Sequence, residues 1–169
     1  MYHRYMAIYF HGGVYADMDT ECKRPIESWV NSGCQLVVAV QDDQYFCQWA
    51  FAGIPKHPAL EAVLDLVLHR MVHKTVTPEA NNYVFKVTGP GVFTEGLSSY
   101  LGLRKGEKLK GFVGEKGKVM KDGVCLISRA ELKRSLRNMY SSTNKWLQGG
   151  TWSGWVKEQN SLTAVDGIS

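Results

Sequence analysis

The chain has 169 residues, of which 44% are hydrophobic and 21% charged, and its formal net charge is +4. A chain of this length can bury one sizeable core, and this composition is that of a globular protein, not of a disordered or fibrous one. The basic residues are scattered, and glycines interrupt their densest stretch, residues 104–121. We therefore expect no nucleic-acid partner. No stretch reaches the roughly 20 apolar residues of a membrane span, so we expect no span in this chain.

The first predicted element is a helix that ends at Gly12–Gly13, a natural helix stop. A short strand over residues 14–16 follows, and Asp17 and Asp19 come directly after it. Open α/β sheets bind ligands at the carboxyl ends of their strands, so this position is typical of a ligand site. The residues that recur at helical spacing before the glycines are Tyr2, Tyr5, Met6 and Tyr9.

Asp17 and Asp19 have the spacing of a metal-binding pair. Carboxylates two residues apart in an extended or turning backbone can point to the same side. Hard divalent cations prefer carboxylate oxygens, so the pair predicts a site for Mn²⁺ or Mg²⁺. Surface turns also supply Asp-x-Asp pairs by chance, but the preceding Gly-Gly-Val-Tyr makes this pair more specific.

Strand and helix patterns alternate in the middle of the chain. Residues 21–33 are a connection with a short helical turn, and two strands follow, over residues 35–40 and 46–52. A helix is predicted over residues 58–74. Its apolar stripe, which we expect to be buried, consists of Leu60, Val63, Leu64, Val67, Leu68 and Met71.

A turn at Gly89–Gly91 separates a short apolar run, residues 81–88, from a helix that ends near Leu101. We interpret the apolar run as a strand. The hydroxyls of Thr88 and Thr94 can reach a ligand from such a turn, and a purely structural corner is the alternative.

The last predicted elements are a hairpin over residues 119–127, with Asp-Gly at its turn, and a basic helix over residues 128–140. Residues 144–155 then place three tryptophans among glycines and hydroxyls. This composition favours a loop over a sugar diphosphate, because an indole ring can stack on a sugar and its N–H can donate to a phosphate. A packed aromatic tail is the alternative. The residues of this loop that we predict to contact the sugar diphosphate are Thr151, Trp152, Ser153 and Trp155.

The four cysteines form no Cys-x-x-Cys pair, and their spacing to histidines does not fit a structural zinc site. An even number permits one or two disulfides in an oxidising compartment, and buried free thiols are equally compatible with the sequence. The cysteines are Cys22, Cys34, Cys47 and Cys125.

Three segments resemble the same enzyme family, in the same order along the chain. The first runs from Arg4-Tyr5 through Gly12-Gly13-Val14-Tyr15-Ala16-Asp17-Met18-Asp19-Thr20, and the others are residues 50–58 and 88–94. They are similar to the DXD-containing glycosyltransferases related to yeast initiation-type α-1,6-mannosyltransferase. The sugar-binding region of that family also resembles that of the large clostridial glucosylating toxins.

The resemblance implies an α/β fold of the GT-A-like nucleotide-diphospho-sugar transferase type, a Rossmann-like mixed sheet flanked by helices, present here in part. We expect residues 1–156 to be the catalytic domain without its first strands, and residues 157–169 to be a C-terminal tail. Related enzymes commonly carry an aspartate three residues before the arginine, where this sequence has Met1. They also carry a histidine before their C-terminal Ser/Thr-Trp element, and here Asn144 is nearest to its place.

The resemblance also implies an activity: metal-dependent, retaining transfer of a hexose from a UDP- or GDP-hexose to a glycan or lipid acceptor. Mannose is the hexose that the family name suggests, and the Golgi lumen is the implied location if the organism is eukaryotic. Asp17 and Asp19 are the implied catalytic and metal-binding residues. Arg4, Gly13 and Tyr15 are the implied donor contacts in the same region. For Arg4, a surface position or an ion pair with a nearby carboxylate is the alternative.

Two other functions are compatible with the sequence. Without the first strands of the fold, the chain could be an inactive or carbohydrate-binding fragment of such an enzyme. A phosphatase of the haloacid dehalogenase type also uses Asp-x-Asp after a strand. Such phosphatases expect Thr or Val two residues beyond the second aspartate, and this chain has Glu21 there.

Overall fold

The structure is a computed structural model, and it describes residues 2–30, 33–78, 80, 82–104, 106–113 and 118–138. The chain divides into two compact units, Met1–Arg137 and Asn138–Ser169, and nearly all described residues belong to the first. The predicted boundary after residue 156 lies outside the described residues. So do four of the predicted donor contacts, Thr151, Trp152, Ser153 and Trp155.

Within the described residues, seven strands form two sheets. The strands are β1 (Gly13–Ala16), β2 (Thr20–Cys22), β3 (Leu36–Val40), β4 (Phe46–Gly53), β5 (Lys118–Val119), β6 (Val124–Ser128) and β7 (Leu136–Asn138). The larger sheet has the order β1-β4-β3-β6-β5, and the smaller pairs β2 with β7. In the larger sheet β3 and β6 are parallel, and the other neighbours are antiparallel. The sheet is therefore mixed, as predicted.

Five α-helices accompany the sheets in the described part of the chain. They are α1 (His3–His11), α2 (Pro58–Val72), α3 (Tyr83–Val87), α4 (Pro90–Tyr100) and α5 (Arg129–Ser135). Short 3₁₀ turns lie at Ile26–Ser28, Leu109–Phe112 and Lys121–Gly123. None of the described helices combines the length and the apolarity that a membrane crossing requires.

Helices cover both faces of the larger sheet, and β3 is therefore buried along its whole length. Leu36 and Val38 face a core that includes side chains of α1, α2 and α4. Val37 and Ala39 face a second core, which includes side chains of α5. Alternation along one apolar strand thus builds two layers of helix packing. The predicted fold class, a mixed sheet flanked by helices, is confirmed.

The pairing of β4 with β3 is interrupted by a register shift. Val38 lies opposite Phe51, whereas Val40 lies opposite Phe46. The residues of β4 between these pairs, 47–50, therefore form an irregular bulge, which frees backbone groups from the ladder. Bulges of this kind are common next to functional sites.

Cysteine chemistry differs among the four positions. Cys34 and Cys125 form a disulfide between neighbouring parts of the sheet, and Cys22 and Cys47 are free thiols. Burial raises the pKa of the Cys47 thiol to about 12, so it is an apolar core side chain at neutral pH. Both possibilities that the sequence left open, a disulfide and a buried thiol, are realised.

Two predicted elements are wrong in part. Residues 83–87 form α3, not a strand, and they pack against the start of α4. The basic helix predicted over 128–140 ends at Ser135, where the chain enters β7. In addition, Leu68 and Met71 of the predicted apolar stripe are exposed. The predicted hairpin is present as the antiparallel pair β5 and β6.

Candidate active site

The two aspartates lie in a tight turn at the carboxyl end of β1. The Asp17 N–H donates to the Trp49 carbonyl over 2.8 Å, and the Thr20 N–H donates back to the Asp17 carbonyl over 2.9 Å. Met18 at the tip of the turn is fully exposed. Because β1 runs in the same direction as β3 and β6, this turn is at the edge where those strands also end. The predicted position of the pair is therefore found.

Arg4 and Tyr15 both hold the carboxylate of Asp17. Arg4 Nη1 donates to Asp17 Oδ1 over 2.9 Å, and the Tyr15 hydroxyl donates to the same oxygen over 2.6 Å. The guanidinium carbon of Arg4 also lies 4.8 Å from the centre of the Tyr15 ring, a cation–π distance. Arg4 is buried, with 7% of its surface exposed. The structure thus brings together three of the predicted site residues.

The bulge in β4 supplies a second partner for Arg4. Arg4 Nη1 donates to the Gln48 carbonyl over 3.2 Å, and the Tyr5 hydroxyl donates to Gln48 Oε1 over 2.6 Å. Tyr5 is fully buried and stacks on Phe93 of α4, with 5.1 Å between ring centres. Tyr5 and Gln48 were not predicted as site residues. A polar residue inside the apolar run of β4 is the signal in the sequence that could have indicated Gln48.

Tyr15 is a hydrogen-bond donor over the whole physiological range. Burial, together with its hydrogen bond to Asp17, raises its pKa to about 12. A neutral phenol can donate to a carboxylate, whereas a phenolate would repel it. Tyr15 therefore fixes the orientation of Asp17 without adding charge to the site.

The Asp19 carboxylate is available to a ligand. Among the described residues it forms no hydrogen bond and no ion pair. The hydroxyl oxygen of the neighbouring Thr20 is buried, and no described group hydrogen-bonds it. The oxygens of Asp19 and Thr20 are thus available to a ligand, whereas Arg4 and Tyr15 both bind one oxygen of Asp17.

The oxygen ligands of the turn fit Mn²⁺ or Mg²⁺ in one mode of binding. Within the described residues no group of three or more His, Cys, Asp or Glu side chains could hold a metal ion by itself. Ions bound through one or two carboxylates complete their coordination with substrate phosphates and water. Asp17 and Asp19 are compatible with that mode, in which the ion and a diphosphate bind together.

Gly13, a predicted donor contact, lies at the opposite end of β1 from the aspartates. The structure therefore does not bring Gly13 together with Asp17. Its φ of +94° explains the glycine, since side-chain-bearing residues rarely adopt that conformation. Gly12 has a φ of +68°, and a Cβ there would lie 2.7 Å from the ring of Pro55. The glycine pair thus ends the helix, as predicted, and it also lets the backbone at Gly12 pass close to Pro55.

The predicted corner at residues 88–94 is held by its own hydroxyls. Thr88 Oγ1 donates to the Val84 carbonyl over 3.4 Å, and Thr94 Oγ1 accepts from the Phe46 N–H over 3.0 Å. A Cβ on Gly91 would lie 2.6 Å from the ring of Phe85. These contacts favour the structural alternative for Thr88, while Thr94 also lines a cavity, described below.

The chain is similar to several known proteins. Residues 2–35 match the family described as glycosyltransferase sugar-binding region containing DXD motif. The chain is 26% identical to the initiation-specific alpha-1,6-mannosyltransferase of Candida albicans, over 58% of this chain and 33% of the relative. It is 31% identical to the inositol phosphoceramide mannosyltransferase 1 of Schizosaccharomyces pombe, over 58% of this chain and 30% of the relative. A solved structure, the PaToxG glycosyltransferase, is 23% identical, with a TM-score of 0.45 and coverage of 59% of this chain and 33% of that one.

The matched segment resembles the sugar-binding region of the DXD-containing glycosyltransferases, and Arg4, Tyr15, Asp17 and Asp19 all lie inside it. The predicted resemblance to the initiation-specific mannosyltransferases is confirmed, and the matches support the predicted enzyme class, a glycosyltransferase. The chain spans about a third of the length of the relatives it matches. Its own activity, donor and acceptor are therefore proposed separately from theirs.

Proposed function

We propose that this chain belongs to an enzyme that transfers a hexose from a nucleotide diphosphate sugar to a glycan or lipid acceptor, with a divalent cation bound at Asp17 and Asp19. The observation that carries this proposal is the pair of carboxylates at the strand end, one oriented by Arg4 and Tyr15 and the other uncommitted. Such an arrangement offers both fixed and free oxygen ligands at the edge of a sheet where substrates bind.

The reaction follows from the chemistry of the donor. The acceptor hydroxyl oxygen forms a bond to the anomeric carbon, while the bond from that carbon to the diphosphate oxygen breaks. The electron pair of the broken bond stays with the nucleoside diphosphate, which also takes the hydroxyl proton. When bound, Mn²⁺ or Mg²⁺ neutralises the charge that develops on the departing diphosphate.

The protein residues position this chemistry. Arg4 adds a cation within 2.9 Å of Asp17, so the turn carries less net negative charge than two free carboxylates would. Tyr15 holds Asp17 in one orientation, which pre-organises one metal ligand. On the family resemblance we propose Thr151, Trp152, Ser153 and Trp155 as further donor contacts, and the role of Gly13 as a donor contact stays a prediction. We also propose the predicted extent of the catalytic domain, residues 1–156.

The names of the relatives support mannose as the hexose, and hence a GDP-linked donor, because two of them are mannosyltransferases. Retention of the anomeric configuration follows from the same resemblance, and it requires no separate catalytic base. The disulfide between Cys34 and Cys125 supports a compartment of the secretory pathway such as the Golgi lumen, because disulfides persist in oxidising environments.

Calorimetric titration of the full chain with GDP and with UDP, each with and without Mn²⁺, tests the proposal. Asp19→Asn is the sharpest variant, because Asp19 makes no described hydrogen bond whose loss would disturb the fold. We expect it to weaken Mn²⁺-dependent nucleotide binding by at least about tenfold. Asp65→Asn, which changes an exposed carboxylate on α2, is the matched control and should bind as the parent does.

The outcomes separate the alternatives. Metal-dependent binding that is lost in Asp19→Asn and kept in Asp65→Asn supports the donor site, and the preferred nucleotide identifies the base. Binding that is equally strong without Mn²⁺, or in Asp19→Asn, contradicts the metal role. A parent chain that binds neither nucleotide favours the inactive or carbohydrate-binding fragment.

A further inference from the structure

A cavity of about 650 Å³ opens at the edge of the sheet where β3 ends, in the range of volumes that hold small ligands. Its walls come from the loop between β3 and β4, from α3 and α4, and from the segment after α4. Thr94, whose hydroxyl was predicted to reach a ligand, lines it, whereas the residues predicted to bind the metal do not. No match to a known protein assigns a role to it.

The cavity lies on the same face and edge of the sheet as the aspartates. Tyr5 of α1 and Phe93 of α4 share one core, so α1 and α4 cover the same face. Asp17 hydrogen-bonds Trp49, and Tyr45 in the cavity wall is four positions away from Trp49 along the chain. Four extended residues span at most about 13 Å, so Tyr45 lies within that distance of Trp49, the partner of Asp17. A ligand of a few sugar units bound in the cavity could therefore extend along this edge of the sheet.

The walls of the cavity are fixed by contacts within the protein. Thr94 accepts a hydrogen bond from Phe46 at the start of β4, which ties the sheet to α4. The ring of Phe85 packs against Gly91. A Cβ at that position would lie 2.6 Å from the ring, so only glycine permits this contact. Tyr45 meets Phe85 edge to face, with 5.2 Å between ring centres. Two aromatic rings are thus held in the wall before any ligand binds.

The charges of the cavity wall cancel. Among the described lining residues, three carboxylates accompany three cations, and these are Asp43, Glu95, Glu107, Arg70, Lys86 and Arg104. One pair is formed internally, with 2.6 Å between Arg70 Nη2 and Glu95 Oε1. A wall without net charge offers no excess cation to a phosphate. Alternating donors and acceptors beside aromatic rings instead match the hydroxyls and the apolar face of a neutral sugar.

We infer that this cavity binds the acceptor as a neutral glycan, an inference that rests on the proposed glycosyl transfer. Its place at the same edge of the sheet as the aspartate turn allows the reactive hydroxyl of a bound oligosaccharide to extend toward the donor. The balanced charge disfavours an anionic acceptor such as a phosphoinositol headgroup.

The test measures binding of α-1,6-mannobiose to the full chain by calorimetry, with glycerophosphoinositol as the anionic comparison. Tyr45→Leu removes one ring of the wall and should weaken mannobiose binding by about tenfold. Phe10→Leu, which removes an exposed ring on α1, is the matched control and should change the affinity by less than about twofold. Gln44→Ala changes an exposed loop residue of the same wall and gives a second probe that does not disturb the core.

Nucleotide binding with Mn²⁺, measured on the same variants, keeps the two proposals distinguishable. Weaker mannobiose binding in Tyr45→Leu and Gln44→Ala with GDP binding unchanged supports the acceptor cavity. Mannobiose binding that is absent in the parent, or unchanged in both variants, overturns the cavity assignment whether or not the nucleotide binds. Tighter binding of glycerophosphoinositol than of mannobiose overturns the neutral-glycan assignment. A parent chain that binds no nucleotide argues against the donor site only. In that case the mannobiose result still decides the cavity assignment.

Discussion

Arg4 on α1 and Asp17 after β1 form a hydrogen-bonded ion pair, with 2.9 Å between Nη1 and Oδ1. The pair joins the helix before the two glycines to the turn after the strand. Tyr15 donates to the same oxygen of Asp17. Because both contacts converge on Asp17, they orient this carboxylate and leave Asp19 accessible to a ligand.

Replacement of Arg4 should destabilise the fold more than an exposed arginine would. Arg4→Ala removes the partner of Asp17 and of the Gln48 carbonyl, and a partly buried ion pair of this kind contributes about 1–3 kcal/mol. Denaturant unfolding followed by circular dichroism measures the change in the free energy of unfolding. Arg134→Ala breaks an exposed ion pair with Glu131 and should cost less than about 1 kcal/mol. Equal losses in the two variants would contradict the account of Arg4.

Alkaline titration should reveal the environment of Tyr15. Its folded pKa is raised to about 12 by burial and by Asp17, above the value of about 10 in an unfolded chain. The folded state therefore holds the proton more tightly, and this contribution to stability is complete below pH ~10 and is lost as the pH rises toward ~12. Phenolate absorbance of the parent, compared with Tyr15→Phe, measures the late-titrating group. A Tyr15 that ionises near the ordinary value would show that the hydrogen bond to Asp17 is absent.

Protonation of His57 at acidic pH should destabilise the start of α2. Its Nδ1 accepts from the Ala59 N–H over 3.1 Å, and its Nε2–H donates to the Asp122 carbonyl over 3.0 Å, so the buried ring is neutral. Burial lowers its pKa below the ordinary value. The stability from the neutral ring is thus complete above pH ~6.5 and is lost as the pH falls through the folded pKa.

His57→Ala should lower the free energy of unfolding by about 2 kcal/mol at neutral pH, because it removes a helix cap and the hydrogen bond to the Asp122 carbonyl. His57→Asn keeps a capping oxygen and should lose less. Unfolding at pH ~7 and pH ~5 measures both effects. His69→Ala, an exposed position on the same helix, is the control, and an acid dependence that survives in His57→Ala would contradict the assignment.

Loss of the disulfide should destabilise the domain strongly. Cys34 and Cys125 are 91 residues apart in sequence, and closure of a loop of that length stabilises by up to about 4.6 kcal/mol in the chain-entropy description. The double variant Cys34→Ser, Cys125→Ser should unfold at lower denaturant concentration than the parent. Cys22→Ser, at an exposed free thiol, should not. A parent whose stability is insensitive to reductant would contradict this pairing.

The sequence predicted those features that depend on neighbouring residues. The strand before Asp17 and the stop at Gly12 follow from local patterns, and the mixed sheet follows from the family resemblance. Residues 83–87 were misread because valine, phenylalanine and tyrosine favour strands, whereas packing against Gly89 and Gly91 at the start of α4 stabilises a helix.

Features that depend on distant residues could not be predicted. The partner of Cys34 lies 91 positions away, and the sequence contains no signal that selects Cys125 over the other cysteines. The contact between Tyr5 and Gln48 depends on the bulge in β4, which changes which side chains face α1. For Arg4 the sequence leaves an ion pair with a nearby carboxylate open, and the choice of Asp17 depends on α1 and β1 lying side by side.

The most direct test of the central claim is turnover of GDP-mannose by the full chain with Mn²⁺, followed as release of GDP in the presence of α-1,6-mannobiose. The account predicts release that requires Mn²⁺, falls by at least about tenfold in Asp19→Asn and is unchanged in Asp65→Asn. Release that is independent of Mn²⁺, or that persists in Asp19→Asn, would contradict a metal-assisted transfer site at the aspartate turn.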